Sequence, residues 1–381
     1  MYYSNRRKGN DTTVVQAVCA VVFVVLSLFW LYFFQADVIA VGQHVYSNGT
    51  TIYRDGVGAI VITAVLLLLQ RLMVLLVKLR KRSHALTYLP SILVLAVLSD
   101  YNETTGGIDH KWFWLAPLVL FLWGGTVWFV RKVLPFPWAN ERFGFFSRSM
   151  WTNIVVMMVM MFFMTLSTNT NAVLHFRAYA ERSILKGNLD DALHAGNRSL
   201  ETDRNLTMVR AFALSLKGQL GERLFEYPVE GSSQSLLPLW GQSTALILSP
   251  DTFCNHLGQK AVQASTLYSY CDSLENDSMA NAAVADYRLC GLLIDKKLDL
   301  FAHYIKRYYP DMTKLPKHYR EALTLYRHRR SETIVDFNDD VMEEDWKNFV
   351  ELEKAYPNPM ERKGKMLERY SMSYWFYYFY S

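Results

Sequence analysis

Residues 86–98 read LTYLPSILVLAVL, a run of 13 residues with Pro90 near its start, and the topology of the N-terminal half turns on whether they cross a membrane. An α-helix of that length rises about 20 Å, short of a hydrocarbon core of about 30 Å. A re-entrant or interfacial segment therefore competes with a crossing. Four longer apolar stretches surround it: Val14 to Phe34, Val57 to Val77, Trp112 to Val130 and Met150 to Leu166. Each is bounded by polar or charged residues and reads as a transmembrane helix. Arg6, Arg7 and Lys8 precede the first stretch as they would in a signal peptide. Its apolar core is too long for that, and no small-x-small cleavage site follows, so it reads as a retained anchor.

Charge settles the parity in favour of five spans. With 86–98 crossing, one side holds Arg6, Arg7, Lys8, Lys78, Arg80, Lys81, Arg82, Arg131, Lys132, Arg142 and Arg148, and the other holds only Arg54 and Lys111. Short loops rich in Lys and Arg stay inside. The expected arrangement is thus residues 1–13 cytoplasmic, spans within 14–167, and residues 168–381 as an extracytoplasmic domain.

Residues 1–167 carry 14 Lys and Arg against 7 Asp and Glu, so the net charge of +5 on the 381-residue chain comes from the membrane half. The C-terminal half is nearly neutral with signs interspersed. It lacks the basic stripe that neutralises phosphates, which argues against a nucleic-acid partner.

Polar residues inside spans are rare and need a reason. Gln70 and Arg71 lie in the second span and Asn153 in the fifth. Arg71 is close enough to the basic end to snorkel, and Asn153 reads as a hydrogen-bonding tie between helices; a substrate or ion path is the sharper alternative. Asp37, Asp55, Asp100, Glu103 and Asp109, with His44 and His110, gather on the side opposite the basic loops. They could supply a general base or a metal site, but no ligand spacing is present and outer loops are where acids are tolerated. No metal and no cofactor is expected.

After Ser167 the chain becomes amphipathic and begins to repeat. A helix leads to Leu185, Gly187 and Asn188, followed by Ala192 and Leu193; a second leads to Leu216 and Gly218, followed by Leu220 and Leu224. Glycine after an apolar helix, then a polar residue and a new apolar run, is a helix-turn-helix signature. Ala283 to Pro310 repeats the theme around Asp295, Lys296 and Lys297, and Pro316 to Arg327 opens another helix. Residues 226–250, with Gly231, Pro238 and Gly241, interrupt the period and read as a loop. The expected fold is all-α: a transmembrane bundle of about five helices followed by a soluble domain of helical hairpins.

The run Tyr374 to Tyr380 is wholly aromatic and needs a dry surface, either as a cap on the last hairpin, at the membrane boundary, or on a partner. Cys254, Cys271 and Cys290 permit one bridge, most simply Cys254 to Cys271, or reduced core thiols. No phosphate loop, nucleophile elbow or zinc-helix motif occurs.

The Gly187-Asn188-x-x-x-Ala192-Leu193 run resembles the tetratricopeptide (TPR) hairpin, with the rest of that pattern degraded. Together with the Leu89-Pro90-Ser91 entry to the short span and the segment Leu315 to Leu323, the chain resembles an uncharacterised family of Bacteroidetes integral membrane proteins, a domain of unknown function. That resemblance implies a bacterial inner membrane and a periplasmic C-terminal domain, and supplies no catalytic residue.

The functional expectation is a membrane-anchored scaffold or adaptor whose periplasmic TPR-like domain binds a protein partner, the lipid bilayer being the other partner. One alternative is a membrane glycosyl or lipid-linked transferase using Asp37 as base. Another is a transporter component using Arg71 and Asn153.

Overall fold

The computed structural model describes residues 2–79, 81–103, 106–133, 147–258 and 264–381. The basic-end residues Arg80 and Arg142 lie outside them. The chain divides into two compact units, Met1–Asn171 and Ala172–Ser381. Both are helical, with a single two-stranded hairpin among the described residues.

In the first unit α1 (Tyr2–Phe29) runs on through a π-helical turn (Trp30–Phe34), closed by Gln35 N–H to Trp30 O at 3.1 Å. α3 (Asp55–Val77), α5 (Trp112–Val133) and α6 (Arg148–Ser167) follow, and α1, α3, α5 and α6 are the four helices long and apolar enough to span a membrane. Large side chains such as Val57, Leu68, Phe121 and Phe162 are exposed on them, which is what hydrocarbon as solvent permits. The stretch expected to be a loop after Phe34 contains a further helix, α2 (Ala36–Tyr46), which buries Ala36, Val38, Ala40 and Val41.

The short third segment is the most enclosed part of this unit. It begins as a 3₁₀ stretch (Lys81–Tyr88), kinked at Ser83, and becomes α4 (Leu89–Leu98) with Pro90 in its first turn. Pro is accommodated there because first-turn amides have no helical acceptor. The 3₁₀ stretch packs on α1, α3 and α6, and α4 on α3, α5 and α6. Thr87 lies against Gln70 and Ser91 against Leu66, so the segment runs antiparallel to α3. Because 3₁₀ geometry rises about 2.0 Å per residue, His84 to Leu98 extends roughly 25 Å, longer than its residue count alone would give as α-helix. After it come β1 (Tyr101–Asn102) and β2 (Gly107–Ile108), antiparallel with Tyr101 opposite Ile108.

The second unit is built on one repeated turn. α7 (Ala172–Leu185) and α8 (Leu189–His194) are joined at Gly187, α9 (Arg204–Leu216) and α10 (Leu220–Arg223) at Gly218, and α13 (Ala283–Ile294) and α14 (Leu298–Tyr308) at Lys296. These three joints have φ of +78°, +66° and +56°. In each the next amide reaches back to the same carbonyl: Asn188 to Ser183, Gln219 to Leu214 and Lys297 to Leu292, all at 2.8 to 2.9 Å. The left-handed residue turns the chain while pairing carbonyls the helix end leaves open. A fourth pair, α15 (Lys317–Arg329) and α16 (Asp340–Ala355), follows, then α17 (Pro359–Tyr370) and α18 (Tyr374–Tyr380).

The first helices of the hairpins are buried nearly all round. Every residue of α9 from Leu206 to Ser215 is buried, as are Tyr287 to Ile294 of α13. The cause is the chain between Glu226 and Asn276: the 3₁₀ turn Ser233–Leu236 packs on α9 and α13, and α11 (Pro250–Leu257) and α12 (Leu267–Asn276) pack on α13. The chain's own turns and helices after α10 thus cover faces of α9 and α13 that the hairpins alone would leave open. Phe212, Phe253, Tyr270, Tyr287, Phe301 and Tyr319 belong to the continuous core that results.

Two glycines separate backbone strain from crowding. A Cβ on Gly218 meets nothing within 4 Å, so Gly218→Ala should cost only the left-handed backbone penalty, about 1 kcal/mol. A Cβ on Gly221 falls 2.4 Å from the ring of buried Tyr319, so Gly221→Ala should cost more, about 1–3 kcal/mol by overpacking. Thermal unfolding of the purified protein should rank them in that order.

Candidate functional site

The 3₁₀ entry to α4 places non-α backbone inside the membrane unit, and polar side chains from three neighbouring helices meet it. Asn153 of α6 accepts from the Ala85 amide at 2.7 Å and donates to Ser149 O at 2.6 Å. Gln70 of α3 donates through Nε2 to Thr87 Oγ1 at 3.0 Å, and Thr87 donates to His84 O at 2.8 Å. Trp123 of α5 donates to Leu86 O at 2.8 Å. Gln70, Asn153, His84 and Thr87 are all buried. Arg71, beside Gln70 in sequence, is exposed instead. Of the intramembrane residues singled out in the sequence, Gln70 and Asn153 thus bond to the short segment, and Arg71 is exposed.

The other end of α4 is held as firmly. Trp30 donates to Ser99 Oγ at 3.2 Å, and buried Asp100 accepts from Trp112 Nε1 and Lys111 Nζ, each at 2.7 Å. Asp109 accepts from the Lys111 amide and from Asn102, contacts that hold its carboxyl below the usual range. Asp37 and Asp55 stand in the first turns of α2 and α3, where a negative charge complements the helix dipole. The acids of this end are therefore spread over separate local tasks, and among the described residues no group of three His, Cys, Asp or Glu could hold a metal.

Five buried side-chain atoms of the unit contrast with these satisfied groups. Ser27 Oγ, Gln35 Oε1, Thr63 Oγ1, Gln70 Oε1 and His84 Nε2 have no hydrogen-bond partner. An unpaired buried polar atom costs about 1–3 kcal/mol. Five together would consume much of a domain's net stability, on the order of 5–15 kcal/mol.

The C-terminal unit also buries charge, and two of its clusters hold chain in place. Glu181 of α7, fully buried, receives the amides of Leu246, Ile247 and Leu248 at 2.7 to 3.1 Å, while Arg177 one turn earlier lies 3.6 Å away and donates to Thr244 O. Burial pushes the Glu181 carboxyl up, and Arg177 and those amides pull it partly back. This pair clamps Leu246 to Leu248 onto the first hairpin. His318 of α15 accepts the Phe225 amide at Nε2 and meets Glu321 Oε2 at 2.8 Å through Nδ1, so the tautomer with hydrogen on Nδ1 satisfies both contacts. Glu321 also accepts the Tyr374 amide, and its carbonyl accepts Trp375 Nε1.

Those last contacts fix the aromatic run as α18. Tyr374 and Tyr377 donate to Leu293 O and Ile294 O, the final carbonyls of α13. Ile294 is consequently only 5% exposed, whereas the residues in the same place on the first two hairpins, Leu185 and Leu216, are 59% and 39% exposed. Gly187 and Gly218 occupy the turns, Asn188 precedes α8, and Ala192 and Leu193 are core. Cys254, Cys271 and Cys290 are buried, unbridged thiols, and burial pushes Cys271 up to about 12. The third turn falls at Asp295, Lys296 and Lys297, where the sequence placed it; aligned on Leu185-Lys186-Gly187-Asn188-Leu189, the run Ile294-Asp295-Lys296-Lys297-Leu298 is the same motif with Lys296 in glycine's place.

Residues 256–381 match a family of unknown function (DUF6057), a stretch that starts in α11 and takes in every later helix. That part of the chain is consistent with an uncharacterised family. No curated protein and no solved structure matches the chain.

Asp295 gives a test in pH. Burial alone would raise its carboxyl, but the Ser233 amide and hydroxyl, Tyr268 and Lys297 outweigh burial and hold it below the usual range. A depressed folded-state pKa contributes stability above the unfolded value of about 4, lost as pH falls through the folded one. Thermal midpoints should therefore show wild type above Asp295→Asn at pH 7, with the gap closing as the pH falls below about 4.

Proposed function

We propose that the protein is a membrane-anchored scaffold or adaptor of a bacterial inner membrane, with a TPR-like helical domain on the periplasmic side that docks a protein partner. The orientation rests on the charge bias of the short loops, with α4 and its 3₁₀ entry counted as the fifth crossing and the N-terminus inside. The TPR-like reading rests on the left-handed turn shared by the hairpins jointed at Gly187, Gly218 and Lys296.

The contrast at the hairpin tips carries the docking proposal. Faces of α9 and α13 are covered by the chain's own turns and helices after α10, so the partner's surface is sought elsewhere. The third tip is covered by an aromatic helix whose tyrosines bond the last carbonyls of α13. Leu185 and Leu216 leave the equivalent places open on the first two hairpins, each beside a lysine. A partner segment with an apolar or aromatic face fits those tips in the manner of α18. A transferase reading that uses Asp37 gains nothing from the geometry, since that carboxylate sits half-exposed in the first turn of α2.

Photo-crosslinking residues placed at Leu185 and Leu216 should capture the same partner in intact cells, and one placed at Leu300, exposed on α14, should not. Loss of the crosslink on Leu185→Asp with an unchanged thermal midpoint would complete the case. Absence of any crosslink from both tips removes the reading. Reporter fusions after Thr168 and at Ser381 should be active only outside the cytoplasm; activity inside would mean that residues 86–98 do not cross.

A further inference from the structure

Five unpartnered polar atoms among the described residues belong to three packed elements of the membrane unit: α1 with its π-helical end, α3 and the 3₁₀ stretch. The interior stripe of α1 is Val15, Cys19, Phe23, Ser27 and Leu31, and that of α3 is Ala59, Thr63, Leu66 and Gln70. These helices pack together. Ser27 is eight residues before Gln35, and Thr63 eight after Asp55, so both stand about 12 Å in from the acidic end. Gln70 stands about 22 Å in, and Thr87 links it to His84. Unpartnered atoms therefore recur at three levels: Gln35, then Ser27 with Thr63, then Gln70 with His84.

The chemistry of these atoms defines what they can bind. The Gln oxygens only accept hydrogen bonds, the two hydroxyls both donate and accept, and His84 Nε2 offers a lone pair when the ring hydrogen is on Nδ1. Water is the small molecule that meets all of these needs, and buried water characteristically pairs such groups. His84 also lies within electrostatic reach of Arg71 and edge-on to the Tyr88 ring, with Cys19 beyond Tyr88 and Arg82 two residues away. It is the one histidine buried in this unit among the described residues.

We propose that the α1–α3 seam binds a file of water that passes protons between the acidic end of the membrane unit and His84. A hydronium in the file gives its proton to His84 Nε2, leaving water and forming imidazolium; the Nδ1–H then breaks and its proton passes to water at the basic end beyond Ser83, and a turn of the ring restores an open nitrogen toward the file. Only O–H and N–H bonds form and break, and no electron is transferred. Leu31 and Phe23 lie between the polar levels of α1, so the path is narrow and its conductance low.

The test uses the full-length protein in phosphatidylcholine vesicles with a trapped pH-sensitive dye and an imposed pH step. The gradient should collapse severalfold faster than in protein-free vesicles. Thr63→Val and His84→Gln should return the rate to the protein-free level, while Thr63→Ser and the lipid-facing Leu68→Ala should keep the wild-type rate. Each variant is accepted only if it elutes as wild type does, and Ser27→Ala replaces Thr63→Val if that variant does not fold. A wild-type rate equal to that of empty vesicles overturns the proposal. So does a wild-type rate retained by the Val and Gln variants.

Discussion

Backbone amides and carbonyls placed in hydrocarbon have to find partners inside the protein, and the membrane unit is organised around one segment that cannot supply its own. The 3₁₀ stretch before α4 leaves groups that a continuous α-helix would pair. Asn153, Trp123 and, through Thr87, Gln70 meet it from three different helices. The same three contacts fix where α3, α5 and α6 sit around it. A short segment with a polar, non-α entry is tolerated among these helices because its neighbours carry the polar groups that meet it.

The C-terminal unit solves a different problem with related means. Stacked hairpins bury one stripe per helix and leave a concave side open. Here stretches within 226–258 and 264–276 pack over α9 and α13, which brings extended backbone into the interior. Glu181 takes three consecutive amides of it, Asp295 takes Ser233, and Thr207 accepts the Glu230 amide. Polar side chains of this kind serve to position chain, since each accepts from backbone that it holds.

Much of this was legible in the sequence where a single residue type or length carries the signal. Twenty apolar residues announce a span, and Gly187 and Gly218 announce turns, because few residues accept positive φ at low cost. The third turn was legible from the repeated apolar runs on either side of Asp295, Lys296 and Lys297, although Lys296 adopts the same conformation without glycine's mark. α2 was hidden by a loop expectation, although Val38 and Val41 share an apolar face. α12 carried a readable cap in Thr266 and Ser269, and α16 an apolar spacing in Met342, Trp346 and Phe349. What no local pattern contains is pairing at a distance: Asn153 with Ala85, Glu181 with Leu246, Glu321 with Tyr374. Gln70 and Asn153 could be recognised as costly, but their shared target only exists once 81–88 departs from α geometry.

The docking of α18 has a consequence for the order of events during synthesis. Leu293 and Tyr374 are 81 residues apart, and Phe225 and His318 are 93 apart. A chain emerging from its N-terminus exposes the ends of α10 and α13 long before their partners exist. Local hairpins can form early, while closure of the domain waits on contacts of high sequence separation, which slow folding. In that interval Phe225, Leu293 and Ile294 present an apolar surface with unclaimed carbonyls, a natural target for chaperones at the site where the domain is released.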